Sequence, residues 1–169
     1  LGGLIFIIPA FAKDIHGVDE TGLGFMIAAV GLGAFAGAFS VFLAGGIRRS
    51  GAALLISNVL FGALVIVWAF TTTMAVALPI AFLLGYFNAV HIALGIAVIQ
   101  VNVPAKVRGR VIGAYELAWA SFPLGGLVSG SLAAIYGLEY SLTILAVGLI
   151  VFTIVTALVS EKFRGIRIE

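Results

Sequence analysis

The chain has 169 residues and a formal net charge of +2, and 63% of its residues are hydrophobic while only 9% are charged. An ordinary soluble domain is about 45–50% apolar and about 25% charged, so this chain has too few polar residues to cover the outside of a soluble globule. The composition excludes a soluble enzyme, a disordered tail and a nucleic-acid-binding domain, and it indicates an apolar solvent around the fold.

Charged and turn residues divide the apolar sequence into six predicted helices. A helix needs about 20 apolar residues to cross a hydrocarbon core of about 30 Å. The predicted helices, named A to F in chain order, run over 1–12, 21–46, 52–70, 74–100, 111–136 and 141–160. Helix A is too short to span a bilayer and opens without a methionine or a charged leader, so we interpret it as the end of a truncated helix. We therefore expect an all-α polytopic membrane bundle over 1–160, embedded in a lipid bilayer, with a polar tail at 161–169.

Short connections are expected between these helices. The stretch 101–110 is predicted as the loop between helices D and E, and 137–140 as a turn between helices E and F. Such short links make neighbouring helices antiparallel. In lipid, an α-helix satisfies its backbone hydrogen bonds within the segment itself. A β-barrel would show short alternating strands instead.

The lysines and arginines predict the orientation of the bundle. Eight of them lie on one face, in the turn between helices B and C, the loop between D and E, and the tail, whereas the opposite face has only Lys13. The eight are Arg48, Arg49, Lys106, Arg108, Arg110, Lys162, Arg164 and Arg167. Basic residues favour the cytoplasmic side, so we expect a cytoplasmic (inner) cell membrane protein with a cytoplasmic C-terminus. A patch that binds anionic lipid or nucleic acid is the weaker alternative.

The loop between helices D and E carries the most specific motif. Gln100 and Pro104 are followed by Arg108-Gly109-Arg110 at the opening of helix E. This motif resembles the corresponding loop in the C-terminal half of major facilitator superfamily transporters. Helices A and B resemble the same half through Ile8-Pro9-Ala10-Phe11-Ala12-Lys13-Asp14, Gly22-Leu23-Gly24 and Gly31-Leu32-Gly33. The likeness is closest to multidrug- and enterobactin-type exporters and covers nearly the whole chain.

One stretch departs from the family pattern. The family often carries Gly-x-Leu-x-Asp-Arg-x-Gly-Arg-Arg after the second helix of a half, and here the matching stretch is Ala44-Gly45-Gly46-Ile47-Arg48-Arg49-Ser50-Gly51. The basic pair is kept and the aspartate is absent. Arg48, Arg49, Arg108 and Arg110 remain candidates for a cytoplasmic gate or for orientation alone.

The resemblance implies a complete mechanism. The chain would be half of a twelve-helix fold with an inverted 3+3 repeat, and an N-terminal six-helix half would be its missing partner. The function implied is secondary transport by alternating access, as a proton-coupled exporter of small amphipathic molecules, drugs or siderophores. The alternative is a non-transporting six-helix membrane scaffold or assembly subunit.

Two polar residues lie in the middle of helix D. Asn88 and His91 are three residues apart and share one helical face. At that depth an unpaired polar group is costly, so we expect both to face protein or water. Asn88 is a candidate substrate contact and His91 a candidate proton or substrate site, because imidazole titrates near neutral pH. The alternative is an interhelical hydrogen bond at each position.

Helix E carries the remaining candidates. Glu116 is either a proton-coupling carboxylate or a partner in a salt bridge with Arg108, Arg110 or Arg48, and we favour the bridge. Aromatic residues could line an apolar cavity or simply pack against their neighbours. The aromatic candidates are Tyr86 on helix D and Tyr115 and Trp119 on helix E.

A bend is expected in helix E, either as a hinge or as a static kink. Pro123, Gly125 and Gly126 carry this prediction. Enzymatic chemistry is not expected, because the chain has two histidines, no cysteine and no phosphate-cradling loop. We expect no cofactor, no metal and no nucleic-acid partner.

Overall fold

The computed structural model describes residues 20–44, 50–119 and 122–159, and these segments form helices and short connections with no strand. The helices are α1 (Glu20–Leu43), α2 (Ser50–Ala69), α3 (Met74–Asn102), α4 (Ala105–Trp119), α5 (Phe122–Tyr136) and α6 (Leu138–Val159). Five stretches are long and apolar enough to cross a membrane, with α4 and α5 together making one of them. The expectation of an all-α polytopic membrane protein is confirmed. Helix A, Arg48, Arg49 and the tail at 161–169 lie outside the described residues.

The loop predicted at 101–110 is almost entirely helical, so this prediction was wrong. Helix α3 continues to Asn102 and α4 already begins at Ala105. Pro104 causes the short break, because a proline disfavours helical backbone at the residue before it, and Val103 is indeed extended. The carbonyl oxygen of Pro104 then accepts hydrogen bonds from the backbone N–H groups of Val107 and Arg108, at 3.0 and 3.1 Å. The basic residues of this region therefore lie on a helix.

The predicted helix E corresponds to α4 and α5 together. Helix α4 runs to Trp119 and α5 from Phe122, and residues 120–121 between them lie outside the described residues, so one continuous helix remains a prediction.

The turn predicted at 137–140 shrinks to one residue. Gly137 has a φ of 90°, in the left-handed region that favours glycine, and α6 begins immediately after it. Its N–H donates to the carbonyl of Ala133 at 2.9 Å, and its carbonyl accepts from the N–H of Ser141 at 3.1 Å. One glycine thus closes α5 and opens α6.

The closest packing in the bundle is between α1 and α3, at three glycines. A Cβ built on Gly33 would collide with the carbonyl oxygen of Phe82, and one built on Gly37 with the carbonyl oxygen of Tyr86. In the reverse direction, a Cβ on Gly85 would collide with the carbonyl oxygen of Val30. Small residues let two membrane helices bring their backbones together, and van der Waals contact then holds them.

Behind this crossing lies the apolar core. Met26, Trp68 and Leu142, from α1, α2 and α6, are nearly or completely buried and belong to one cluster with Leu84 of α3. Gly62 brings α2 onto α6, because a Cβ there would lie 2.7 Å from the Cγ1 atom of Ile150. Many large apolar side chains on the outside are exposed, as expected where the surrounding solvent is lipid.

Two buried serines join α5 to α6. The Ser141 hydroxyl donates to the carbonyl of Ser129 at 2.8 Å, and both residues have no exposed surface. The Ser129 hydroxyl donates within its own helix to the carbonyl of Gly126 at 3.0 Å. In a hydrocarbon environment such bonds leave no buried hydroxyl unpaired.

We predict that Gly37→Val destabilises the protein by about 1–3 kcal/mol or prevents folding, because the added side chain meets backbone that cannot move aside. Gly148→Val is the control, since Gly148 is a mid-helix glycine of α6 with no atom within 4 Å of its Cβ position. Thermal unfolding of the purified intact protein measures both. Equal unfolding temperatures for the two variants would contradict the α1–α3 crossing.

Candidate functional site

The candidate site is built on the middle of α3. This helix has 29 residues, and Asn88 is equally far from its two ends. At about 1.5 Å per residue, Asn88 is about 21 Å from either end, and His91 is one turn further on. Both residues are half-buried. They are therefore polar side chains at the depth where the bilayer is least able to solvate them.

His91 has a buried nitrogen without a partner. Its Nδ1 atom is shielded from solvent and makes no hydrogen bond with any part of the chain that the structure describes. An unpaired polar atom in an apolar environment costs a few kcal/mol. His91 thus has one ring nitrogen whose hydrogen-bonding capacity is not used by the described part of the chain.

Tyr115 reaches α3 one turn away from His91. A Cβ built on Gly95 would lie 3.2 Å from the Tyr115 hydroxyl oxygen and 3.7 Å from the Cζ atom. Gly95 follows His91 by four residues, so the two share a helix face. The missing side chain at Gly95 is what lets the α4 hydroxyl come this close to α3. Gly95 was not among the residues predicted from the sequence. The one feature that could have indicated it is its position one turn beyond His91.

Tyr86 lies elsewhere, at the joint of α1 and α3. Its hydroxyl is 3.0 Å from the Ser40 hydroxyl, which donates to the carbonyl of Gly37 at 2.7 Å. Its ring also packs edge-on against Phe87, with centroids 5.3 Å apart. These contacts place Tyr86 beside the glycine crossing, where it packs between α1 and α3.

Glu116 is exposed, and among the described residues no lysine or arginine forms an ion pair with it. The expected bridge to Arg108 or Arg110 is therefore not formed, while Arg48 lies outside the described residues. Trp119 is the last residue of α4. On α4, Tyr115 therefore contacts α3, whereas the side chain of the adjacent Glu116 is exposed.

Arg108 has a role that the sequence did not predict. Its Nε and Nη2 atoms donate to the carbonyl oxygen of Val103, at 3.3 and 3.2 Å. Val103 is the C-cap of α3, where the last carbonyls of a helix have no intrahelical partner. Arg108 therefore ties the end of α3 to the start of α4 and fixes the corner. Arg110, two residues on, is exposed.

The predicted hinge residues lie in the first turn or so of α5. Pro123 is its second residue, and Gly125 and Gly126 follow within the next turn. The carbonyl of Gly126 accepts the Ser129 hydroxyl. Within the described ranges, no cluster of three or more histidine, aspartate or glutamate residues could hold a metal ion.

Comparisons with known proteins point in one direction. A family model described as transmembrane secretion effector matches residues 3–164. The chain is similar to the multidrug efflux pump Tap of Mycolicibacterium fortuitum, with 25% identity over 150 residues. That match covers 88% of this chain and 36% of the pump, so the chain spans about a third of the length of this relative. No solved structure matches.

We predict that Tyr86→Phe and Ser40→Ala each lower the free energy of unfolding by about 0.6 kcal/mol, a typical value for a hydrogen bond between membrane helices. Because both variants remove the bond between the two hydroxyls, the double variant should lose little more than Ser40→Ala, which also removes the bond to the Gly37 carbonyl. Chemical denaturation in detergent measures the free energy of unfolding of the intact protein, the two single variants and the double variant. Thr156→Val is the control, because the Thr156 hydroxyl bonds within its own helix. Fully additive losses would show that the two hydroxyls do not interact.

Proposed function

The chain belongs to the transmembrane secretion effector family of the major facilitator superfamily, and from this membership we propose that it is the C-terminal six-helix half of a secondary active transporter. The whole protein exports small amphipathic molecules, such as drugs or siderophores, by alternating access. The observation that carries the proposal is the family match, which runs over residues 3–164 and thus over nearly the whole chain. The similarity to a multidrug efflux pump supports export as its direction.

The partner of this half is an N-terminal six-helix bundle in the same protein. The efflux pump is about three times as long as the matched stretch, since that stretch covers 36% of it. Two bundles that rock around a midplane site are the usual basis of alternating access, and the two helix triplets within each bundle form an inverted repeat. In this arrangement α3 faces the central cavity.

His91 couples export to the proton gradient, and Asn88 contacts the substrate. The support is the position of both residues at the centre of α3 and the unpartnered Nδ1 atom of His91. A histidine is suited to this task because its charge changes near neutral pH. A mid-membrane site also lets the same group meet either side of the membrane as the bundles rock.

Glu116 and the arginines form the cytoplasmic gate. The exposed Glu116 carboxylate has no described partner, so it is available to an arginine of another segment in a different transport state. Arg48 and Arg49 are its candidate partners, while Arg110 is exposed on the same helix. The basic residues also orient the protein in the inner membrane, with the C-terminus in the cytoplasm.

The direct test is transport by the intact protein in proteoliposomes. An imposed pH gradient should drive uphill movement of at least one amphipathic compound from a panel of dyes and siderophores, and collapse of the gradient should stop it. A folded, reconstituted protein that moves none of the panel under either condition would leave the chain as a membrane scaffold.

We predict that His91→Ala abolishes uphill export and leaves the unfolding temperature nearly unchanged, because the variant removes the group that exchanges the proton. The matched control is His16→Ala, which replaces the only other histidine of the chain. Gradient-driven uptake into proteoliposomes measures both variants. Normal uphill export by a well-folded His91→Ala protein would reduce His91 to a packing residue.

A further inference from the structure

Helices α3 and α4 each carry a polar group that lacks a hydrogen-bond partner within the described part of the molecule. The Nδ1 atom of His91 is buried and unpaired, and the Tyr115 hydroxyl makes no hydrogen bond within the described part of the molecule. The hydroxyl lies next to the Cβ position of Gly95, one turn along α3 from His91. Positions 91 and 95 are four residues apart and therefore lie on the same face of α3.

We propose that His91 and Tyr115 form one binding site, which takes an uncharged hydrogen-bonding group of the transported molecule. This inference rests on the proposed function, and it specifies the substrate chemistry of the same region. A neutral imidazole has one donor and one acceptor nitrogen, and a phenol hydroxyl both donates and accepts. A group that both donates and accepts, such as a hydroxyl, an amide or an azole N–H, can therefore bridge the two side chains.

The charged residues that the structure describes on α4 favour an uncharged group over an anionic one. The guanidinium of Arg108 is held at the carbonyl of Val103, and Lys106 and Arg110 lie at least five residues before Tyr115 along α4. Glu116 is the charged residue beside Tyr115, but successive residues are about 100° apart around a helix, and its side chain is exposed. Among the described residues, an anion at the site would therefore lack a counter-charge, whereas an uncharged group needs none.

Gly95 keeps the site open. A methyl group at this position would lie 3.2 Å from the Tyr115 hydroxyl, which is tighter than an ordinary contact, so the hydroxyl would have to move away. Gly113 on α4 provides a matched control, because its Cβ position has no atom within 4 Å. The two glycines differ in this contact and lie on the two helices that face each other.

The test is equilibrium binding to the intact protein in detergent, without any gradient. Two probes are compared: a bis-benzimidazole Hoechst dye, whose rings carry N–H donors and nitrogen acceptors, and tetraphenylphosphonium, which has no hydrogen-bonding group. Tyr115→Phe removes one oxygen atom and keeps the ring. We expect it to weaken dye binding about three- to tenfold, the effect of losing one hydrogen bond, and to leave tetraphenylphosphonium binding unchanged. Gly95→Ala should weaken dye binding too, whereas Gly113→Ala should not.

Three results would overturn the site. They are no dye binding by the unmodified protein, unchanged dye binding by Tyr115→Phe, and equal weakening of both probes, which would indicate lost packing. If Gly95→Ala fails to fold, the Tyr115→Phe comparison still decides. Because the assay needs no gradient, protein that binds the dye through Tyr115 and cannot export it would contradict the transporter proposal and leave the site intact.

Discussion

The contact between α1 and α3 at Gly33, Gly37 and Gly85 is the constraint on which the rest of the bundle depends. At each of these positions the place of a side chain is taken by a carbonyl of the opposite helix. Apolar side chains gain little by leaving lipid for protein, so close backbone packing has to hold membrane helices together. The crossing fixes α3 against α1, and the Ser40–Tyr86 bond fixes its register.

Fixing α3 in this way decides where its polar residues go. Tyr86 is turned toward α1, while Gly95, one turn beyond His91, meets Tyr115 of α4. Helix α4 is tied to the end of α3 by Arg108. Helix α3 thus has a tightly packed joint with α1 on one side and the contact of Gly95 with Tyr115 on the other. The site that we propose at His91 and Tyr115 would lie beside this second contact.

Much of the fold could be predicted from the sequence, because a bilayer imposes the length and apolarity of each helix. The predicted helix boundaries were wrong at Pro104 and Gly137, because each of these residues turns the chain with almost no connecting residues. The position of Asn88 and His91 in the middle of a helix could be predicted from the sequence, since both lie far inside one apolar run. The contacts of Tyr86, Tyr115 and Arg108 were not, because they depend on which helix lies opposite, and a one-dimensional pattern does not contain that information.

The most direct test of the proposed topology is to measure on which side of the membrane each end of α3 lies. The chain has no cysteine, so Thr72→Cys and Lys106→Cys can be introduced singly, into a cysteine-free form of the intact protein, and labelled with a membrane-impermeant maleimide in intact cells. In this topology Thr72→Cys is labelled from outside, and Lys106→Cys is labelled only after the membrane is permeabilised. Labelling of Lys106→Cys from outside alone would reverse the topology and contradict the transporter assignment.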